Sequence, residues 1–86
     1  MPEISRFFGI RILMFYNDHA PPHFHADYGG ERVSLEIRSL AVIEGRIQGR
    51  ALGMVVEWAR VHQRELEEDW QRARRGQPLL EIRPLE

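Results

Sequence analysis

Three histidines lie close together in the first third of the chain, in the run 19–25, which reads HAPPHFH. His23 and His25 are two residues apart in a segment typical of a β-strand, so their side chains share one face, and Asp27 joins them there. Imidazoles and carboxylates are ligands that zinc, iron and nickel use in proteins. One hypothesis is therefore a site for a divalent transition metal such as zinc. Its ligands would be His19, His23, His25 and Asp27.

The same histidines are also suited to proton transfer. An imidazole titrates near pH ~6.5 and can act as a general acid or base. With tyrosines and arginines nearby, this chemistry predicts cleavage of a phosphodiester without a metal, with the 2′-hydroxyl of RNA as the nucleophile. A third interpretation is structural, because histidines beside a turn often only hydrogen-bond the backbone. The spacing His-x3-His-x-His is not a metal signature by itself, so all three interpretations stay open.

A fourth histidine, His62, lies on the apolar stripe of a predicted helix and should face the sheet. If the strand turned its histidine face toward this helix, His62 would meet His23 and His25. Arg50, at the helix start, could then contact an anionic group. The acid–base hypothesis therefore assigns catalysis to His23, His25, His62 and Arg50. In the alternative orientation of the strand His62 is a core histidine, and the pattern leaves both orientations open.

The hydrophobic pattern predicts the strands that position these residues. Segment 7–16 is rich in isoleucine and aromatic residues, is apolar on both faces, and is typical of a central strand. Segment 23–28 predicts a second strand, the alternating segment 32–38 a third, and segment 40–47 a weaker fourth. The short connections, with glycine and Asn-Asp turns, favour antiparallel hairpins.

From about Arg50 to Arg75 the period changes to that of an amphipathic helix. Gly76 is placed to cap it, and Pro78 prevents its continuation. Segment 79–83 would add a short edge strand or lie on the domain. Because the helix must bury its stripe on the sheet, the sequence predicts an α+β fold. This fold is an antiparallel β-meander of three to four strands packed by one long C-terminal amphipathic helix, with residues 1–86 as a single domain.

Composition limits the classes of function. The formal net charge is −1, and all 12 basic residues counted with it are arginine. The absence of cysteine excludes disulfides and thiolate chemistry. No apolar stretch approaches the ~20 residues of a membrane span, and no signal peptide is visible. We therefore expect a soluble cytoplasmic protein that has no membrane partner.

Several segments of the chain resemble the small bacterial proteins grouped as domain of unknown function 4160. The resemblance covers almost the whole chain, and the run PPHFHA is its most specific part. The matching segments are 2–10 (PEISRFFGI), 18–26 (DHAPPHFHA), 57–62 (EWARVH), and Glu65-Leu66 with Trp70. The resemblance implies a short protein encoded beside another small domain, an arrangement similar to toxin–antitoxin pairs. It also implies that His19, His23, His25 and His62 belong to one site.

The leading hypothesis is a component of a toxin–antitoxin-like two-protein module. Such a protein would contact a small cognate protein encoded nearby and act on RNA through its histidines. The first alternative is a metal-binding protein or metalloenzyme that uses His19, His23 and His25. The second is a structural or dimerising module, which would form a homodimer.

Overall fold

The computed structural model describes residues 3–86. Met1 and Pro2 lie outside this range, and Pro2 is the first residue of the segment 2–10 that resembles the family. Within the described residues one antiparallel sheet has five strands in the order β1-β2-β3-β4-β5. The strands are β1 (Glu3–Phe7), β2 (Ile10–Leu13), β3 (His23–Tyr28), β4 (Glu31–Glu36) and β5 (Val42–Gly45). The helices that follow are α1 (Gly49–Val61) and α2 (Gln63–Arg74). No helix in this range is both long and apolar enough to cross a membrane.

The α+β class and the antiparallel meander are confirmed, whereas the number of elements differs from the prediction. Segment 7–16, predicted as one strand, contains a hairpin. Phe8 and Gly9 have positive φ angles of 49° and 80°, and the chain reverses there so that Phe7 pairs with Ile10. A two-residue turn of this kind needs left-handed backbone at both positions, which glycine adopts without strain. The single-strand prediction was wrong because apolar residues on both faces concealed the turn.

The two C-terminal strand predictions had different outcomes. The strand predicted for 40–47 is β5, and it is shorter because Leu40, with φ 61°, lies in the turn before it. Segment 79–83, all of which the structure describes, forms no strand. Of the two alternatives predicted for it, it takes the second and lies against the rest of the fold. The backbone N–H of Ile82 donates to the carbonyl of Ile4 at 2.8 Å, so this segment runs beside the open edge of β1.

The helix predicted for 50–75 is interrupted at His62. This residue has φ −114° and ψ 24°, and it caps both α1 and α2. The side-chain amide of Gln63 donates to the carbonyls of Ile37 and Arg38 at 2.8 and 3.0 Å, which fixes the start of α2 beside the sheet. The prediction of one helix was wrong because the apolar stripe continues through the break, where no glycine or proline stands.

The core face of the sheet packs against α1, and Leu66 of α2 belongs to the same core. On β3 the fully buried Phe24 and Ala26 point into the core, and Phe24 meets Trp58 of α1 edge-on, with ring centroids 6.1 Å apart. Because side chains alternate along a strand, His23 and His25 lie on the opposite face. The structure therefore determines the orientation of β3 that the sequence pattern left open.

Candidate functional site

Strand β3 holds its two histidines at fixed positions because it is paired on both sides. His23 is opposite Glu36 of β4, while His25 is opposite Ser34 of β4 and Leu13 of β2. The exposed fraction of the side chain is 5% for His23 and 17% for His25. Their ring centroids are 5.1 Å apart. The two imidazoles therefore form a compact, mostly buried pair on the face of the sheet that points away from α1.

The loop between β2 and β3 brings Asp18 onto this pair. Asn17 has left-handed backbone with φ 62°, and Oδ1 of Asp18 accepts a hydrogen bond from the backbone N–H of His19 at 3.1 Å. The other oxygen, Oδ2, lies 3.0 Å from Nε2 of His23 and 3.2 Å from Nε2 of His25. From the sequence alone, Asp18 is predicted only as a turn residue and as the first residue of the segment 18–26 that resembles the family. Its position next to the histidine run was the one indication of a further role.

A backbone contact fixes the proton on one histidine ring. Nδ1 of His23 lies 2.7 Å from the carbonyl oxygen of Pro21. A carbonyl oxygen only accepts hydrogen bonds, so this nitrogen carries a proton. In the neutral ring, Nε2 of His23 then presents a lone pair to the carboxylate of Asp18. Two acceptors in this contact repel each other unless Nε2 takes a second proton or a cation lies between them.

Burial and hydrogen bonding favour the protonation states that metal ligands need at Asp18 and His25. Burial is the largest cause of the lowered pKa of His25, and the hydrogen bond to Asp18 opposes it. Burial by itself would raise the pKa of Asp18, but hydrogen bonds from His25 and from the backbone N–H of His19 contribute to lowering it below its ordinary value. Neutral imidazole and ionised carboxylate are the forms that bind metal.

The three side chains have the spacing of a metal-binding group. One ligand atom from each of Asp18, His23 and His25 lies within 4.8 Å of the other two. Metal–ligand bonds of about 2.0–2.1 Å place neighbouring ligand atoms about 2.8–3.4 Å apart in octahedral or tetrahedral geometry. The two nitrogen–oxygen distances to Oδ2, 3.0 and 3.2 Å, fall in that range.

The other predicted ligands lie near this group but outside it. The exposed ring of His19 is 5.8 Å from that of His23, centroid to centroid. Asp27 is on the same face of β3, where its carboxylate accepts two hydrogen bonds from Arg32 at 2.6 and 2.9 Å. These hydrogen bonds are the main cause of the lowered pKa of Asp27. The carboxylate next to the two histidine rings is therefore that of Asp18, whereas the sequence predicts Asp27 in this role.

The structure does not bring His62 and Arg50 to the histidine pair. Nδ1 of His62 is hydrogen-bonded to Glu65, and its ring lies 5.4 Å from that of Trp58 between centroids. No hydrogen bond or ring contact within residues 3–86 joins His62 to His23 or His25. Arg50 is exposed in the first turn of α1 and has no ion pair in the same range. Both residues belong to the helical side of the molecule.

This fold and site define a small α+β protein with a two-histidine, one-aspartate group on the sheet face opposite α1. The family model described as Domain of unknown function (DUF4160) matches residues 9–71, and the chain belongs to this family. The matched range contains the whole group of Asp18, His23 and His25. No curated protein and no solved structure matches the chain.

Proposed function

We propose that this protein binds one divalent transition metal ion through Asp18, His23 and His25. The observation that carries the proposal is the convergence of two imidazole Nε2 atoms on a single carboxylate oxygen. Nδ1 of His23 already donates to the carbonyl of Pro21, an arrangement that commonly orients a histidine ligand. A cation in this position would replace the proton that His25 donates to Asp18, and it would bind both Nε2 atoms and the carboxylate together.

The ligand set favours a borderline metal ion such as zinc or iron(II). Imidazole and carboxylate suit both ions, whereas calcium and magnesium prefer ligands that are all oxygen. Three protein ligands leave at least one coordination position for water or a substrate, as in catalytic rather than purely structural zinc sites. His19 lies close enough to His23 to be considered as a fourth ligand after movement of its exposed side chain.

Zinc titration of the purified protein, followed by isothermal calorimetry and native mass spectrometry, tests the proposal. The expected result is one zinc ion per chain, with affinity reduced at least tenfold in His23→Gln, His25→Gln and Asp18→Asn, because each variant loses one of three ligands. His62→Gln is the matched control, since it removes a histidine outside the group. Circular dichroism checks that the variants fold. Equal zinc affinity in all four variants would contradict the proposed site.

The same three residues support a second proposal, general acid–base chemistry on RNA. The observation that favours it is the lowered pKa of His25, caused mainly by burial, which makes a neutral base available near pH 7 next to the oriented carboxylate of Asp18. RNA cleavage that persists in chelator and is lost in His25→Gln would support this chemistry. Cleavage that requires added zinc would assign the activity to the metal-bound form instead.

We also propose a two-protein module of toxin–antitoxin type, with a small cognate protein as the partner, because the family resemblance of the sequence implies one. The test is to express the chain alone and together with the protein encoded beside it, and to measure growth and co-purification. We expect a growth defect from one of the two proteins that its partner relieves, and a stable complex of both. No effect on growth and no co-purification would contradict the module.

A further inference from the structure

The last turn of α2 lies over the loop that carries Asp18. Trp70 of α2 is almost fully buried, and its ring centroid is 5.3 Å from that of His23. Residues four apart on a helix share a face, so Arg74 follows Trp70 on the side that meets this loop. Beyond the helix, the hydroxyl of Tyr16 donates to the carbonyl of Gln77 at 2.8 Å and ties the loop to the end of α2.

A cavity of about 220 Å³ opens between these two segments, lined by Asn17, Asp18 and Arg74. Asp18 lines this cavity and is also a ligand of the proposed metal site. A ligand in the cavity would therefore lie beside a carboxylate that the proposed metal site uses. In residues 3–86 the exposed Arg74 has no ion pair, whereas Arg72 is paired with Glu68 at 3.4 Å.

The charge balance distinguishes this cavity from a larger one on the same sheet face. The larger cavity, about 430 Å³, is lined by Arg11 and Arg32 but also by Asp27 and Glu31. Both of its arginines are engaged by carboxylates: Arg11 with Glu3, and Arg32 with Asp27. In the smaller cavity the single carboxylate is that of Asp18, whose Oδ2 belongs to the proposed metal site. Its remaining charge is the guanidinium of Arg74.

We infer that Arg74 is an anion-binding residue, and that the ligand of the Asp18–His23–His25 site carries an oxyanion group of the phosphate or carboxylate type. The inference rests on the proposed metal site and adds the class of ligand. A planar guanidinium binds two oxygens of such a group at once. The guanidinium of Arg74 would bind the oxyanion in the cavity beside Asp18, and a metal ion held by Asp18, His23 and His25 would add a second positive charge to the site.

The experiment loads the protein with cobalt(II) and titrates it with inorganic phosphate and, separately, with acetate, following the cobalt absorption bands. Arg74→Gln is the test variant. Arg75→Gln is the matched control, because Arg75 is an exposed neighbour that does not line the cavity. We expect the dissociation constant of the bound anion to rise about tenfold in Arg74→Gln and to stay within twofold in Arg75→Gln, because only the former loses a charge-assisted contact. Cobalt affinity should be equal in all three proteins.

The outcomes separate this inference from the metal proposal. If Arg74→Gln raises the dissociation constant of phosphate more than that of acetate, the cavity is assigned to phosphate groups. The reverse result assigns it to carboxylates, and both results support the inference. If cobalt binds but neither anion binds, or if Arg74→Gln binds anions like the wild type, the inference is wrong and the metal site stands. If cobalt does not bind, the proposed function and the inference resting on it both fail.

Discussion

At the scale of single residues, Asp69 is a buried carboxyl group that lacks one of its partners. It is 1% exposed, and its Oδ1 accepts a hydrogen bond from the backbone N–H of Leu80 at 2.9 Å. Among the described residues 3–86, its Oδ2 has no hydrogen-bond partner. Burial raises the pKa of Asp69 from its ordinary value of 3.8, and the negative charges of Glu68 and Glu65 add to the effect. The folded protein therefore disfavours the ionised form.

We predict that Asp69→Asn stabilises the protein at pH 7 by about 1 kcal/mol, because it removes a charge that burial penalises and keeps an acceptor for Leu80. A carboxyl group whose pKa is raised in the folded state stabilises the fold most at pH values below its pKa in the unfolded chain. This stabilisation is lost as pH rises through the pKa of the folded state. The gain from the variant should therefore vanish as pH falls below 3.8.

Urea unfolding of both proteins across a pH series measures this difference. Subtracting the two curves removes the titration of all other groups, which the proteins share. If Asp69→Asn were less stable than the wild type at pH 7, the buried amide would cost more than the buried charge. If the difference were independent of pH, the carboxyl would titrate normally in the folded protein.

The residue scale also shows what the sequence could reveal about the site. Alternation along β3 predicts that His23 and His25 share a face, because this depends only on the two-residue period of a strand. The same rule placed Asp27 there, and the structure does so too. It could not predict that Asp27 binds Arg32 while Asp18 reaches the histidines. Those contacts depend on strand register and on the left-handed backbone before Asp18, which no local pattern specifies.

At the scale of elements, the hairpin of β1 and β2 contains a turn residue that is poorly suited to its conformation. Phe8 has φ 49°, in the left-handed region that bulky side chains rarely adopt, and 61% of it is exposed. Gly9 beside it has φ 80°, which suits glycine. Asparagine is the residue that most often precedes glycine in such two-residue turns.

We predict that Phe8→Asn raises the free energy of unfolding by about 0.5–1 kcal/mol, because asparagine tolerates left-handed backbone better than phenylalanine. Gly9→Ala should lower it by about 1 kcal/mol, since alanine is strained at a positive φ. Thermal unfolding of the two variants gives both values. A loss of stability in Phe8→Asn would mean that the edge-on contact between Phe8 and Phe7 outweighs the backbone strain.

The helices show why element boundaries were harder to predict than element types. The 3–4 spacing of apolar residues correctly predicts helix on both sides of His62, because both helices bury the same stripe against the sheet. The break is fixed instead by Gln63, whose side chain donates to the carbonyls of Ile37 and Arg38 in a distant part of the chain. Such a tertiary contact leaves no mark in the local pattern.

At the scale of the whole molecule, the C-terminal segment joins the two layers of the fold. Oγ of Ser5 donates to the carbonyl of Ile82 at 2.9 Å, and the indole N–H of Trp58 donates to the carbonyl of Arg83 at 2.8 Å. Ile82 is 4% exposed and belongs to the core, whereas Leu80 is 48% exposed. The segment therefore covers the outer edge of β1 and packs between the sheet and α1.

We predict that Ile82→Ala lowers the free energy of unfolding by about 2–4 kcal/mol, since it leaves a cavity where the C-terminal segment packs. Leu80→Ala is the matched control and should cost less than about 1 kcal/mol, because its side chain is half exposed. Urea unfolding measures both values. Equal costs for the two variants would mean that the C-terminal segment is held by its backbone hydrogen bonds rather than by the burial of Ile82.

Metal binding at one site should be measurable in the stability of the whole chain. The site joins β3 to the preceding loop, so the unfolded chain does not hold Asp18, His23 and His25 at their folded separations. A ligand that binds only the folded state stabilises it by about 2.7 kcal/mol when its free concentration is a hundred times its dissociation constant. For a chain of 86 residues this corresponds to a rise in Tm of about 10 °C or more.

We therefore predict that zinc raises the Tm of the wild type and of His62→Gln by equal amounts, that chelator reverses the rise, and that His25→Gln shows none. Differential scanning calorimetry over a series of zinc concentrations provides the test, because the rise should grow with the logarithm of free zinc. Equal shifts in His25→Gln and in the wild type would place the zinc elsewhere. A fall in Tm would mean that zinc prefers the histidines of the unfolded chain, which contradicts a site formed by the fold.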